Sequence, residues 1–151
     1  MNSGTSATRD PLVAAARECC GNAHAPYSGI HVGVAVRSTS GTVYRGTNVE
    51  NAAYPLGNCA ETSAVAAGVA AEGARFRIAE IAVWATDREG KILACSPCGG
   101  CRQRIQELAV DDEVSVHFPW HGGETRTTSI GDLLPFAFSL PERAPPPSER
   151  D

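Results

Sequence analysis

Three observations in the 151-residue chain predict a three-layer α/β/α sandwich built on a mixed, mainly five-stranded sheet. Helical periodicity and strand alternation succeed one another in the order α-β-β-α-β-α-β-β-α, which places helices on both faces of one sheet. The segment FRIAEIAVWAT, residues 76–86, is apolar on both sides, as a strand covered from two directions is. The length suits one domain with a hydrophobic core that needs no cross-links.

The elements follow in order. Asp10 and Pro11 read as a helix cap and first helical position, so a single domain is expected over 10–140, after a disordered stretch at 1–9. Leu12, Ala16, Cys19 and Cys20 share one helical face, and Gly21 stops the helix. In IHVGVAVR, Ile30, Val32, Val34 and Val36 point one way; STSG turns the chain and TVYRGTNV pairs back as a hairpin. Residues 49–58 form a polar loop. From Cys59 to about Glu72 the chain is Ala-rich and helical, ending at Gly73. A third helix follows the C-x-x-C at 98–101, with Cys101, Ile105 and Leu108 at i, i+4 and i+7 on its inner face. EVSVHF is a strand, ETRTT is expected at a sheet edge, and the Ser-x-x-Asp of SIGDLL opens a short last helix. The Pro-and-charge tail, 141–151, is expected to be disordered.

Composition excludes some partners. A net charge of −4 and a pI near 5.5 provide no basic field for nucleic acid or an anionic membrane. The opening MNSGTSATRD has no apolar core of a signal peptide, and the longest small or apolar run, 64–71, is too short to span a bilayer. A cytoplasmic location is expected. The six cysteines stand at 19, 20, 59, 95, 98 and 101, and in a reducing compartment clustered thiols are more often metal ligands or catalytic groups than disulfides. Cys19 and Cys20 read as small buried hydrophobes, and the scattered histidines as surface or satisfied residues.

Cys98 and Cys101 straddle a helix start, where free N–H groups and the helix dipole stabilise thiolates. Cys59 also opens a helix and is the best third ligand. Three thiolates leave a fourth position free, the pattern of a catalytic rather than a structural zinc site. Glu61 stands two residues after Cys59, and a carboxylate there would serve proton transfer beside zinc-activated water. Residues i and i+2 diverge on a regular helix, so the pair converges only if Cys59 sits at the very end. Cys95 extends the string to C-x-x-C-x-x-C, compatible with a fourth thiolate or an iron–sulfur ligand. No further cysteine follows at a suitable spacing, and Cys95 reads as a strand-end residue near the site.

CAE at 59–61 and PCGGCRQ roughly forty residues later resemble the small zinc-dependent cytidine deaminases. PYSGIHVGVAV, GTNVENAAY and LLPFAF resemble segments of that family in the same order, so the likeness spans about residues 10–138. It implies one Zn²⁺ per chain on Cys59, Cys98 and Cys101, with Glu61 as proton shuttle. Asn48 and Glu50 match positions that hold a ribose hydroxyl, and the Ala60 N–H would meet the pyrimidine carbonyl. Phe138 matches an aromatic that packs over the base, often in a neighbouring subunit, and Tyr54 lies in a loop that commonly joins such a shared site. A homotetramer with shared active sites is implied. The implied reaction is hydrolytic deamination of cytidine or 2′-deoxycytidine in pyrimidine salvage. The alternatives are a deaminase of a modified cytosine nucleoside such as blasticidin S, or a non-catalytic zinc-stabilised scaffold, which would have no use for Glu61.

Two residues depart from the family pattern. Ile30 stands where many members have Phe, making one pocket wall aliphatic. Thr62 stands where many have an arginine that hydrogen-bonds the thiolates. Zn²⁺ with three thiolates carries a net charge of −1. Arg102 and two helix N-termini are expected to offset it.

Overall fold

The computed structural model describes residues 6–141. The disorder expected at the two ends falls mostly on residues 1–5 and 142–151, which lie outside that range. Five strands, β1 His31–Ser38, β2 Val43–Thr47, β3 Ile78–Thr86, β4 Ser115–Pro119 and β5 Thr125–Ser129, form one sheet in the order β2-β1-β3-β4-β5. β3 and β4 are parallel and every other pair is antiparallel. The predicted edge strand ETRTT is an edge, and the strand that is apolar on both faces is central.

Helix α1, Ser6–Cys20, covers one face, and α2 Ala60–Glu72, α3 Gly99–Leu108 and α4 Ile130–Leu133 cover the other. The two-residue period of the strands sorts the core accordingly. Val34, Val36, Ile81, Val83 and Val116 pack with Ala64, Ile105 and Ile130 on one side. Ala35, Ala82 and Trp84 pack with Leu12, Ala16 and Cys20 on the other. Cys19 and Cys20 are buried, free thiols, as expected of small hydrophobes. His117 is buried and satisfied, its ring nitrogens 2.8 Å from Glu80 Oε1 and 2.8 Å from Thr127 Oγ1.

The first helix departs from expectation. It begins at Ser6, before the predicted Asp10 cap, and Pro11 lies inside it. A proline near a helix start removes only one intrahelical N–H bond, so a preceding turn can still form. Among the described residues no helix is long and apolar enough to cross a membrane.

Two contacts set the height of α2 over the sheet. A Cβ on Gly46 of β2 would overlap Ala64 N and approach Ala60 O within 2.5 Å, so this strand meets the backbone of the first turn of α2 directly. Ser63 Oγ donates to Thr47 O at 2.9 Å, tying the same turn to the strand end. The helix start is thereby held against the sheet at the residues that carry the site.

Candidate metal centre and active site

Cys59 is the N-cap of α2 and Cys98 the N-cap of α3, both with extended backbone; Cys101 lies in the first turn of α3. Their three Sγ atoms lie within 4.8 Å of one another, with Cys59 and Cys98 4.0 Å apart. Tetrahedral zinc with bonds of about 2.3 Å sets its sulfurs about 3.8 Å apart, so the set fits that ion with modest contraction. Two helix N-termini meet at the cluster, and their partial positive charge favours thiolates. Arg102 N–H bonds to Cys98 O at 2.9 Å, closing the turn that wraps the ligands.

Taken by themselves, the thiols do not ionise together easily. Desolvation raises the pKa of Cys59 and of Cys101, and the neighbouring acidic groups raise both further. Desolvation works the same way at Cys98, but hydrogen bonds from the Cys101 backbone and from the Cys101 and Cys59 thiols outweigh it and bring Cys98 below its ordinary value. A bound divalent cation would favour the thiolate at all three. Cys95 is outside the three-sulfur cluster and its thiol is pushed up to about 11, first by desolvation and then by Glu61.

Glu61 reaches the same place. Because Cys59 is a cap with non-helical dihedrals, Cys59 and Glu61 line one cavity of about 680 Å³. The Glu61 carboxyl is only 5% exposed; burial raises its pKa, opposed by hydrogen bonds from its own N–H and from Cys101. Ala60, the first residue of α2, lines the cavity with an N–H that has no intrahelical acceptor.

Asn48 and Glu50 line the same cavity. Asn48 Oδ1 accepts the Val32 N–H at 2.8 Å and its Nδ2 donates to Ile30 O at 2.8 Å. Glu50 Oε2 accepts the N–H groups of Tyr27 and Ser28 at 2.9 and 3.2 Å, and Oε1 accepts a short bond from Ser28 Oγ. The Ser28 bond is the main reason the Glu50 carboxyl lies below its ordinary pKa.

The sequence model of the cytidine and deoxycytidylate deaminase zinc-binding region matches residues 7–117. The chain belongs to this family. A cytidine deaminase of Sporosarcina psychrophila is 38% identical over 86% of this chain and 90% of its own length. One of Mycobacterium tuberculosis is 37% identical over 83% of this chain and 85% of its own. The crystal structure of the Burkholderia pseudomallei cytidine deaminase superposes with a TM-score of 0.73 at 40% identity, covering 85% of this chain and 98% of that one. That of Mycobacterium tuberculosis gives 0.69 at 36% identity, over 87% and 98%. The zinc deaminase fold read from the sequence is the fold of these structures.

Within this family member, Ile30 and Tyr54 line the cavity with Asn48, Glu50, Ala60 and Glu61. Tyr54 stands at its rim, edge-on to Tyr27 with ring centroids 6.3 Å apart. Phe138 does not join the cavity of its own chain: it is 68% exposed, and its backbone is held by the Gln103 side chain at 2.8 and 3.1 Å. Arg102 faces carbonyls instead of sulfurs, donating to Pro97 O at 2.9 Å and Leu133 O at 3.0 Å, with Ser96 Oγ at 3.3 Å. Its geometry braces the ligand loop and gives no direct contact with the thiolates. Thr62 is half-buried beside Glu61. Ser28, which orients Glu50, was not foreseen from the sequence, because a loop serine pairing with a residue 22 positions away leaves no local trace.

Proposed function

We propose that this chain is a cytidine deaminase, converting cytidine and 2′-deoxycytidine with water into the uracil nucleosides and ammonia. The observation that carries this reading is the buried carboxyl of Glu61 in one cavity with Cys59 and Cys98, beside a three-thiol cluster suited to zinc. A structural zinc site gains nothing from a desolvated carboxyl there, whereas a hydrolytic one needs it.

Zinc on Cys59, Cys98 and Cys101 supplies a Lewis acid that lowers the pKa of water toward ~7. Glu61 takes a proton from the attacking water and delivers it to N3 of the pyrimidine while the water oxygen bonds to C4. It then carries the remaining hydroxyl proton to the amino group, so that the C4–N bond breaks, ammonia leaves and the C4 carbonyl forms. Burial raises the proton affinity of this carboxyl, which suits a group that must both take and give protons. The Ala60 N–H donates to the pyrimidine carbonyl, and Ile30 provides an aliphatic wall for the base.

Asn48 and Glu50 bind the sugar. After their bonds to residues 27–32, Asn48 keeps one Nδ2 hydrogen and Glu50 keeps acceptor capacity on Oε1. A sugar hydroxyl, donor and acceptor in one group, complements that pair. The chain acts as a homotetramer in which Phe138 and Tyr54 complete neighbouring sites. The exposure of Phe136, Phe138, Leu140 and Tyr54 supports this assembly, since such an apolar set is costly to leave in water. The role proposed for this reaction is pyrimidine salvage in the cytoplasm.

The test is ultraviolet absorbance of purified protein with cytidine, deoxycytidine, cytosine, CMP and adenosine. Turnover of the two cytosine nucleosides is expected; none on either would overturn the reading.

A further inference from the structure

The ligand loops leave the metal centre short of visible positive charge. Zinc with three thiolates is net negative. Thr62 carries no charge, and Arg102 is bonded to Pro97 O, Leu133 O and Ser96 Oγ. Arg104 is placed differently. It lies one turn of α3 beyond Gly100, and its side chain folds back toward the helix start, as long helical side chains do. Its Nη1 stands 3.1 Å from where a Cβ would sit on Gly100, the residue between Cys98 and Cys101. It makes no hydrogen bond or ion pair with another described residue.

We propose that Arg104 is a positioning residue for the metal centre: its guanidinium, curled over the ligand loop at Gly100, supplies the positive field that Thr62 lacks and Arg102 directs elsewhere. The proposal rests on the zinc assignment of Cys59, Cys98 and Cys101. A bare glycine at position 100 fits it, since a side chain there would press the guanidinium away from the loop. The field strengthens the hold of the anionic ligand set on zinc, so its loss is read in metal release and not only in turnover.

The experiment loads the full chain and its variants with zinc and follows transfer of the metal to a chromophoric chelator, alongside the thermal midpoint of each metal-free form. Arg104→Ala is expected to release zinc about 10–100-fold faster, the usual effect of changing a group behind the ligands. Arg104→Lys should keep most of the parental hold, and Thr62→Arg in the Arg104→Ala background should recover part of the loss. Arg45→Ala, whose partner is the exposed Glu18, controls for net charge and should match the parent. Metal-free midpoints should stay together. Parental release from Arg104→Ala would overturn the proposal. So would a loss that neither lysine nor Thr62→Arg recovers, because the role would then be packing. A parent that takes up no zinc would overturn the metal assignment itself, and this proposal with it.

Discussion

Cys59 and Glu61 line the same cavity although a single residue separates them, because Cys59 caps α2 with extended dihedrals and Glu61 stands in its first turn. The cap places a sulfur and a carboxyl on one side of the helix start, where regular geometry would send them apart. Glu61→Gln should therefore keep zinc, fold and nucleoside binding while turnover falls by ~10²–10⁴-fold. Zinc analysis and steady-state rates on the purified variant check this; near-parental turnover would place the proton shuttle elsewhere.

Metal content should separate the cysteines. Serine at Cys59, Cys98 or Cys101 is expected to abolish stoichiometric zinc, while serine at Cys19, Cys20 or Cys95 should leave one zinc per chain. The first three converge within 4.8 Å and Cys95 is outside that cluster. Loss of zinc from Cys95→Ser would mean a closed, four-thiolate site.

Ser28 offers a pH-dependent test. Its hydroxyl is the main cause of the depressed Glu50 pKa, ahead of the Tyr27 and Ser28 N–H groups. A carboxyl depressed in the folded state contributes stability above its unfolded pKa, and that contribution is lost as pH falls through the folded value. Ser28→Ala should raise the Glu50 pKa toward the ordinary value, seen by carboxyl NMR titration, and move the onset of acid weakening of nucleoside binding to higher pH. KM should rise more than kcat falls, and Ser28→Thr should restore most of the effect. An unmoved Glu50 titration would remove Ser28 from this role.

Asn48→Ala and Glu50→Ala should each weaken transition-state binding of nucleosides by about 1–3 kcal/mol, the cost of an unpaired polar partner. Free cytosine has no sugar hydroxyl, so its slow reaction should be little changed by either substitution. Rapid cytosine deamination by the parent would contradict sugar recognition by this pair.

Gly46 meets the backbone of the first turn of α2 so closely that a Cβ would overlap Ala64 N. Gly46→Ala should destabilise the fold by about 1–3 kcal/mol, as overpacking of a tight contact does. It should also loosen zinc, because the displaced helix start carries Cys59. Chemical denaturation with parallel zinc analysis distinguishes this from Gly41→Ala. Gly41 has open space around it, so that variant bears only the strain of a positive φ and should leave zinc untouched.

The element order and the helix starts were legible in the chain because they rest on local chemistry. Alternation in 30–37, the double-sided apolar run before Thr86, the glycine stop at Gly73 and the cap at Ser129 each act within a few residues. The three-thiol cluster was legible for the same reason, since both cysteine segments open helices. The upstream start of α1 was not, because a proline at a favourable first position and a proline tolerated within the first turns carry the same local signal. Strand order, the Ser28–Glu50 bond, the partners of Arg102 and the fold-back of Arg104 were decided only in three dimensions. Each pairs groups brought together by sheet assembly or by the path of a side chain over a surface, and no sequence period records such a meeting. The residue types determined which chemistry was available; tertiary packing decided which charge faces which atom.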